Sequence, residues 1–250
     1  MVSYAFFTNY SLILITMDQT KLGQFVIDAV AAKRAIKTGY VQMPGGLYPA
    51  ECDSVAGHSF SVAALAMEIA HEIKEDLEKT FDISLNLEKV ATLAIFHDYG
   101  EAKSGDPGAA SHATYPGEVC RLHNLERDGL LTTVKGAKIE NLVMDLYDEY
   151  RKYNTPESLV VHIADNLEGF EKALQGAHRS PVFLETALRI FVENITLYRG
   201  KHRVDEKLGK LAEYLTEKIL IPGTQELVNR YWIDINIKEQ ANKKNTHILA

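Results

Sequence analysis

Residues 90–106 read VATLAIFHDYGEAKSGD, an apolar run that passes directly into His97 and Asp98. Glu101 follows three positions after Asp98, and the pair Gly105-Asp106 closes the stretch. Val90, Leu93, Ala94 and His97 recur at helical spacing, so the histidine extends an inward-facing stripe. Glu101 lies four positions beyond His97 and shares its side if the helix persists past Gly100. A histidine and several carboxylates driven into one place require a reason, because buried charge is costly unless it is paired.

Two other segments supply residues of the same kind. In GHSFSVAALAMEIA (57–70) and the residues after it, His58 shares a stripe with Val62, Leu65, Ile69 and Ile73 and points inward from the first turn. In LVVHIADNLEGF (159–170) the pattern is apolar on nearly all sides before Asp165, as in a buried helix. Each residue alone has an ordinary explanation. A single inward histidine is more often a hydrogen-bonded core residue than a ligand, and a single buried aspartate more often meets a lysine or caps a helix. Together, two imidazoles (His58, His97) and two carboxylates (Asp98, Asp165) on three core-directed helices form a mixed nitrogen and oxygen donor set. That set suits a divalent ion such as Mn, Co, Fe, Ni or Zn, with Mg also compatible, and it excludes soft thiolate chemistry.

The 250 residues and 46% apolar content provide for a sizeable core. A formal net charge of −7 argues against a general nucleic-acid or membrane binder, although a local cation can still attract a small anion. The two cysteines, Cys52 and Cys120, form no CxxC pair and no disulfide framework, which fits a reducing cytosol and a cytoplasmic protein. Residues 1–17 are read as an N-terminal extension. Their first sixteen, MVSYAFFTNYSLILIT, lack a basic start and a cleavage site and are too short to span a bilayer.

Helical periodicity dominates thereafter, and the fold expected is all-α: a single helical bundle over residues 18–235, followed by a polar tail at 236–250. Segment 18–37 is amphipathic, with Leu22, Phe25, Val26, Ala29 and Val30 on one face. Further helices are expected near 57–79, 86–100, 117–131, 136–152, 157–178, 181–199, 203–220 and 223–232. The stretch 38–56, with Gly39, Pro44, Gly45, Gly46 and Pro49, reads as a loop, and only 231–237 has a strand-like pattern.

The order H…HD…D, with His58 and His97 39 residues apart, resembles the HD-domain metal-dependent phosphohydrolases. The segments 57–70, ATLAIFHDYGEAKSGD (91–106) and VVHIADNLEGFEKALQ (160–175) look like the 5′-deoxynucleotidase branch, whose second motif reads HD-x-x-E-x-x-x-GD. The resemblance spans about residues 20–178. It implies that His58, His97, Asp98 and Asp165 are metal ligands. It gives Glu101 a proton-handling role in catalysis, and Asp106 a catalytic carboxylate's place that also contacts the sugar and helps reject a ribose 2′-hydroxyl.

Where the family usually shows Arg-x-Gly-Trp before the first histidine, this chain has Lys37-Thr38-Gly39-Tyr40. Lys37 keeps a positive charge for phosphate without the bidentate fork of arginine, and Tyr40 keeps a smaller stacking face. The segment after Asp106, PGAASHATYPGEV, also differs from the family's usual run. The implied substrate is a small phosphorylated molecule, a nucleoside monophosphate, and the implied assembly is a homodimer.

Of the remaining histidines, His112 could add a ligand or a phosphate donor, and His162, three residues before Asp165, could sit behind the ligands. Two rival readings remain: a phosphodiesterase or phosphatase for another small phosphorylated metabolite, and a non-catalytic ligand-binding protein that keeps the helical core.

Overall fold

The computed structural model describes residues 25–27, 30–37, 52–106, 116–177, 184–189, 191–192 and 205–231. Tyr40, His112, the extension 1–17, the strand-like stretch beyond Tyr231 and the tail 236–250 lie outside the described residues. The architecture is all-α. Among the described residues the only extended pairing is an isolated antiparallel bridge between Ile36 and Ser54.

Helix α1 (Val55–Phe81) starts where the Ser54 hydroxyl accepts the Gly57 N–H at 3.0 Å, and it ends on Asp82 in the left-handed region at φ 52°. Its buried stripe is His58, Val62, Ala66, Ile69, Ala70, Ile73 and Leu77. Leu65, expected in that stripe, sits half-buried at its margin, while Ala66 and Ala70 take the centre. Small side chains there let α1 pack closely on its neighbours.

Helix α2 (Leu87–Phe96) is capped by the Asn86 side chain, which accepts the Lys89 N–H at 3.0 Å. It buries Val90, Leu93 and Ala94. It stops at Phe96 instead of reaching Gly100; His97–Gly100 form a turn, and Glu101 opens the one-turn helix α3 (Glu101–Ser104). The turn closes through the Glu101 N–H to the Asp98 carbonyl at 2.9 Å. The one-turn helix ends on Gly105, whose φ of 77° is where glycine carries no Cβ penalty.

After a short 3-10 turn (Pro116–Glu118) come α4 (Val119–Val134), α5 (Glu140–Lys152) and α6 (Pro156–Ala177). Leu159, Val160, Val161, Ile163 and Ala164 of α6 are fully buried. A buried aliphatic side chain of this size contributes about 1.5–3 kcal/mol, so this run outweighs the cost of carrying polar residues into the core beside it. Helix α6 packs against α1, α2 and α5, and these elements build the main core. A second cluster, Leu130, Val134, Val143, Met144 and Tyr147, joins α4 to α5, with Phe25, Phe96 and Tyr99 against it.

Residues 184–189 and 191–192 are helical. The last helices, α7 (Glu206–Leu215) and α8 (Ile221–Arg230), are continuous through a π turn at Thr216–Leu220, where two separate helices were expected. Pro222, which has no N–H to donate, is accommodated in the first turn of α8 just after that wide turn.

The helix near the start of the described chain ends by Ala32, short of the Lys37 expected from periodicity. Its stripe also divides: Phe25 is half-buried and Ala32 is buried, whereas Val26 and Val30 are 52% and 40% exposed. Positions 25 and 32, seven apart, define the inner face, which rotates Val26 and Val30 outward. The chain then extends, and two bonds clasp it to the entrance of α1: Lys37 N–H to Asp53 O at 2.9 Å and Val55 N–H to Ala35 O at 2.8 Å.

The turn that holds the HD pair is seated directly on α4. A Cβ on Gly100 would lie 2.3 Å from the Glu126 carbonyl oxygen, and one on Gly129 would lie 2.7 Å from the Gly100 carbonyl oxygen. Both obstructions are backbone, so neither can swing aside. Gly100→Ala is therefore expected to destabilise the protein by about 1–3 kcal/mol. Urea unfolding monitored by circular dichroism measures this, and an unchanged midpoint would contradict the close crossing.

Candidate active site

The three helices deliver their polar residues to one point. The donors of His58, His97 and Asp165 lie within 4.8 Å of one another. His58 Nε2 is 3.2 Å from Asp98 Oδ2 and 3.2 Å from Asp165 Oδ1. His97 Nε2 is 3.2 Å from the same Asp98 oxygen and 3.8 Å from Asp165 Oδ1. The two Nε2 atoms are 3.3 Å apart.

Each imidazole is held from behind through its other nitrogen. His97 Nδ1 lies 2.7 Å from the Ala94 carbonyl oxygen, and His58 Nδ1 lies 2.6 Å from Glu168 Oε2. Both partners are acceptors, so both Nδ1 atoms carry protons. In the neutral tautomers the two Nε2 lone pairs then face each other and two carboxylate oxygens. Such a cluster requires a cation at its centre, either protons on the imidazoles or a metal ion. The His58 and His97 nitrogens with an Asp165 oxygen fit a divalent ion, and Asp98 Oδ2 lies 3.2 Å from both nitrogens.

The titration behaviour of the metal-free cluster follows from the same contacts. Burial alone would lower both histidines, but hydrogen bonds to Asp165, Asp98 and Glu168 hold His58 well above its ordinary value. The charge of Asp98 and the bonds to Asp165 and Asp98 carry His97 up to about 10 against the same penalty. Burial would raise the two aspartates; the charges of His97 and Lys37 bring Asp98 far below the carboxylate range, and bonds from His58 and His97 do so for Asp165. Asp165 Oδ2 also accepts the Tyr150 hydroxyl at 2.8 Å.

His162 supports Tyr150. Its Nε2 lies 2.8 Å from the Tyr150 carbonyl, and its ring stacks at 3.8 Å on Tyr150 and 3.5 Å on Tyr153. His162 thus braces the residue whose hydroxyl donates to Asp165.

On the other side of Asp98 lies an ammonium with three acidic neighbours. Lys37 Nζ donates to Asp98 Oδ2 and Glu101 Oε2, both at 2.7 Å, and sits 3.8 Å from Asp106 Oδ1. Burial disfavours its charge, and the three carboxylates more than restore it, raising Lys37 well above its ordinary value. Glu101 is pushed the opposite way from the aspartates: burial and the neighbouring Asp98 charge raise it well above the carboxylate range, despite the pull of Lys37. Glu126 of α4 is likewise raised to about 7, by burial first and by Asp98 second.

The structure therefore brings together His58, His97, Asp98, Asp165, Glu101, Asp106 and Lys37, while Tyr40 and His112 lie outside the described residues. Sequence reasoning missed Glu168, Tyr150 and Glu126. Glu168 had a readable signal, since it stands three positions after Asp165 on the same helix face. Tyr150 and Glu126 lie within ordinary amphipathic helices and had none.

Comparison with known proteins fits this geometry. The HD domain family model matches residues 47–202, more than half of the chain, and the chain belongs to the HD-domain family. Within that class it is similar to the 5′-deoxynucleotidase HDDC2 of Danio rerio, at 27% identity over 138 residues. That match covers 54% of this chain and 60% of the zebrafish protein. Among solved structures, the PH0347 protein of Pyrococcus horikoshii OT3 superposes with a TM-score of 0.57 at 24% identity, covering 81% of this chain and 98% of that one. It shows the fold. A conserved hypothetical protein of Pyrococcus furiosus gives a TM-score of 0.49 at 24% identity, over 68% of this chain and 96% of that one. Among the described residues no helix is long and apolar enough to cross a membrane.

The raised histidines predict an alkaline weakness of the metal-free protein. A group whose pKa rises on folding adds stability that is complete below its unfolded value and is lost as pH climbs to its folded value. For His97 that window runs from 6.5 to about 10. After chelation, the urea midpoint is expected to fall across this range, and His97→Asn is expected to flatten the decline. A metal-free midpoint that holds level or rises from pH 6.5 to 10 would contradict the assignment.

Proposed function

We propose that this protein is a metal-dependent phosphohydrolase that removes the 5′-phosphate of deoxynucleoside monophosphates. The observation that carries the reading is the convergence of His58, His97, Asp98 and Asp165, with Lys37 bridging Asp98 and Glu101 beside them. The likeness to a 5′-deoxynucleotidase and the presence of Glu101 and Asp106 at the motif's spacing support the substrate class. Residues that serve only a structural core would not need two further carboxylates beside the ligand set.

His58, His97, Asp98 and Asp165 would hold the ion, which supplies Lewis acidity: it acidifies water and neutralises phosphate oxygens as charge builds. The other groups act through their own chemistry. Lys37 is a fixed positive charge at 2.7 Å from Asp98 and Glu101, so an incoming phosphate dianion meets an ammonium already held in place. Glu101, pushed up by burial and by Asp98, would handle the proton of the attacking water or of the departing 5′-oxygen. Asp106, buried and 3.8 Å from the Lys37 ammonium, would contact the sugar and help reject a ribose 2′-hydroxyl. The native assembly proposed is a homodimer in the cytoplasm. An HD-type hydrolase acting on another small phosphorylated metabolite would use the same metal side with a different sugar side.

The test is release of inorganic phosphate from deoxynucleoside and ribonucleoside 5′-monophosphates, with Mn(II), Co(II) or Mg(II) added to chelator-treated protein. The expected result is metal-dependent turnover that favours the deoxy substrates. Glu101→Gln is expected to lower kcat about 10²–10⁴-fold while metal content stays unchanged. Lys37→Met is expected to raise KM more than it lowers kcat. Absence of phosphate release from every 5′-monophosphate would overturn the substrate assignment, and turnover on another phosphorylated metabolite would favour the second reading.

A further inference from the structure

We infer that Glu168 is a positioning residue of the metal centre, fixing His58 as its Nδ1–H tautomer so that Nε2 alone faces the ion. This rests on the reading above that His58, His97, Asp98 and Asp165 bind a divalent metal.

The geometry is specific. Glu168 Oε2 is 2.6 Å from His58 Nδ1, a short charge-assisted contact, and the carboxylate is 15% exposed. Glu168 follows Asp165 by three positions on α6, so one helix face supplies both a ligand and the group behind a ligand of another helix. The anchoring of the other ligands differs in kind. His97 Nδ1 uses the neutral carbonyl of Ala94, one turn back in its own chain, and Asp165 uses the neutral hydroxyl of Tyr150. His58 alone among these is backed by an anion.

A carboxylate behind a ligating imidazole does two things. It excludes the alternative tautomer, in which the proton would occupy the coordinating nitrogen, and it makes that nitrogen a stronger donor. His58 lies in the first turn of α1, four residues after the Ser54 cap, and its ring is buried. Glu168 supplies the restraint that Ala94 supplies to His97.

Zinc affinity measured by isothermal titration on chelator-treated protein tests this without recourse to activity. Relative to wild type, Glu168→Ala is expected to weaken Zn(II) binding about 10–100-fold. Glu168→Gln, whose amide oxygen still accepts from Nδ1–H, is expected to recover part of that loss. In zinc-loaded wild type, long-range 1H–15N spectra should show the His58 ring protonated at Nδ1 and coordinated through Nε2. That measurement needs no variant, so a misfolded alanine protein would not shield the inference. Equal affinity of wild type and Glu168→Ala, or a His58 coordinated through Nδ1, would overturn the role of Glu168 while leaving the metal centre intact. Failure of wild type to bind Zn(II) would overturn both.

Discussion

Four electron-rich atoms facing one point set the terms for the whole molecule. His58 Nε2 and His97 Nε2 stand 3.3 Å apart, with Asp98 and Asp165 oxygens at 3.2 Å from the first. Without a positive charge among them the arrangement repels itself, and in a buried setting water cannot relieve it. The apolar stripes of α1, α2 and α6 therefore do more than exclude solvent. Their combined burial holds an electrostatically unfavourable cluster together, and the cluster in turn is stable only in the company of protons or a metal.

Much of this was legible in the chain because helical periodicity reports direction. His58 and His97 continue apolar stripes, and Asp165 follows a segment apolar on nearly all sides, so the inward aim of each could be read locally. The end of α2 could not. The expected helix ran to Gly100, whereas it stops at Phe96, because the seat for the HD turn is the backbone of α4 more than twenty residues further on. Gly100 has helical dihedrals, with φ −62° and ψ −30°, and its lack of a side chain serves that contact and not a change of direction. Gly105 alone in this stretch uses glycine's conformational freedom.

The substrate side was less legible for a related reason. The place of Lys37 depends on backbone bonds to Asp53 and Val55, a non-local pairing with no side-chain pattern to announce it. Periodicity put Lys37 at the end of a helix, where a lysine ordinarily faces solvent. Instead the helix ends five residues earlier, and the extended chain carries the ammonium into contact with Asp98 and Glu101. One lysine thus neutralises the outer flank of a cluster whose inner flank faces the imidazoles. Glu101 and Asp98, three residues apart, end with opposite tendencies: imidazoles and ammonium pull Asp98 down against its burial, while burial beside that neighbour pushes Glu101 up.

The clasp that joins residues 35–37 to 53–55 also bears on timing. With its backbone tied to the entrance of α1, Lys37 can exchange one anionic partner for another by turning its own four side-chain torsions. Turning of side-chain torsions is in general a faster class of motion than the opening of loops or the closing of domains. In the reading proposed above, exchange of one anion for another at this ammonium would turn those torsions and leave the clasped backbone of residues 35–37 where it is.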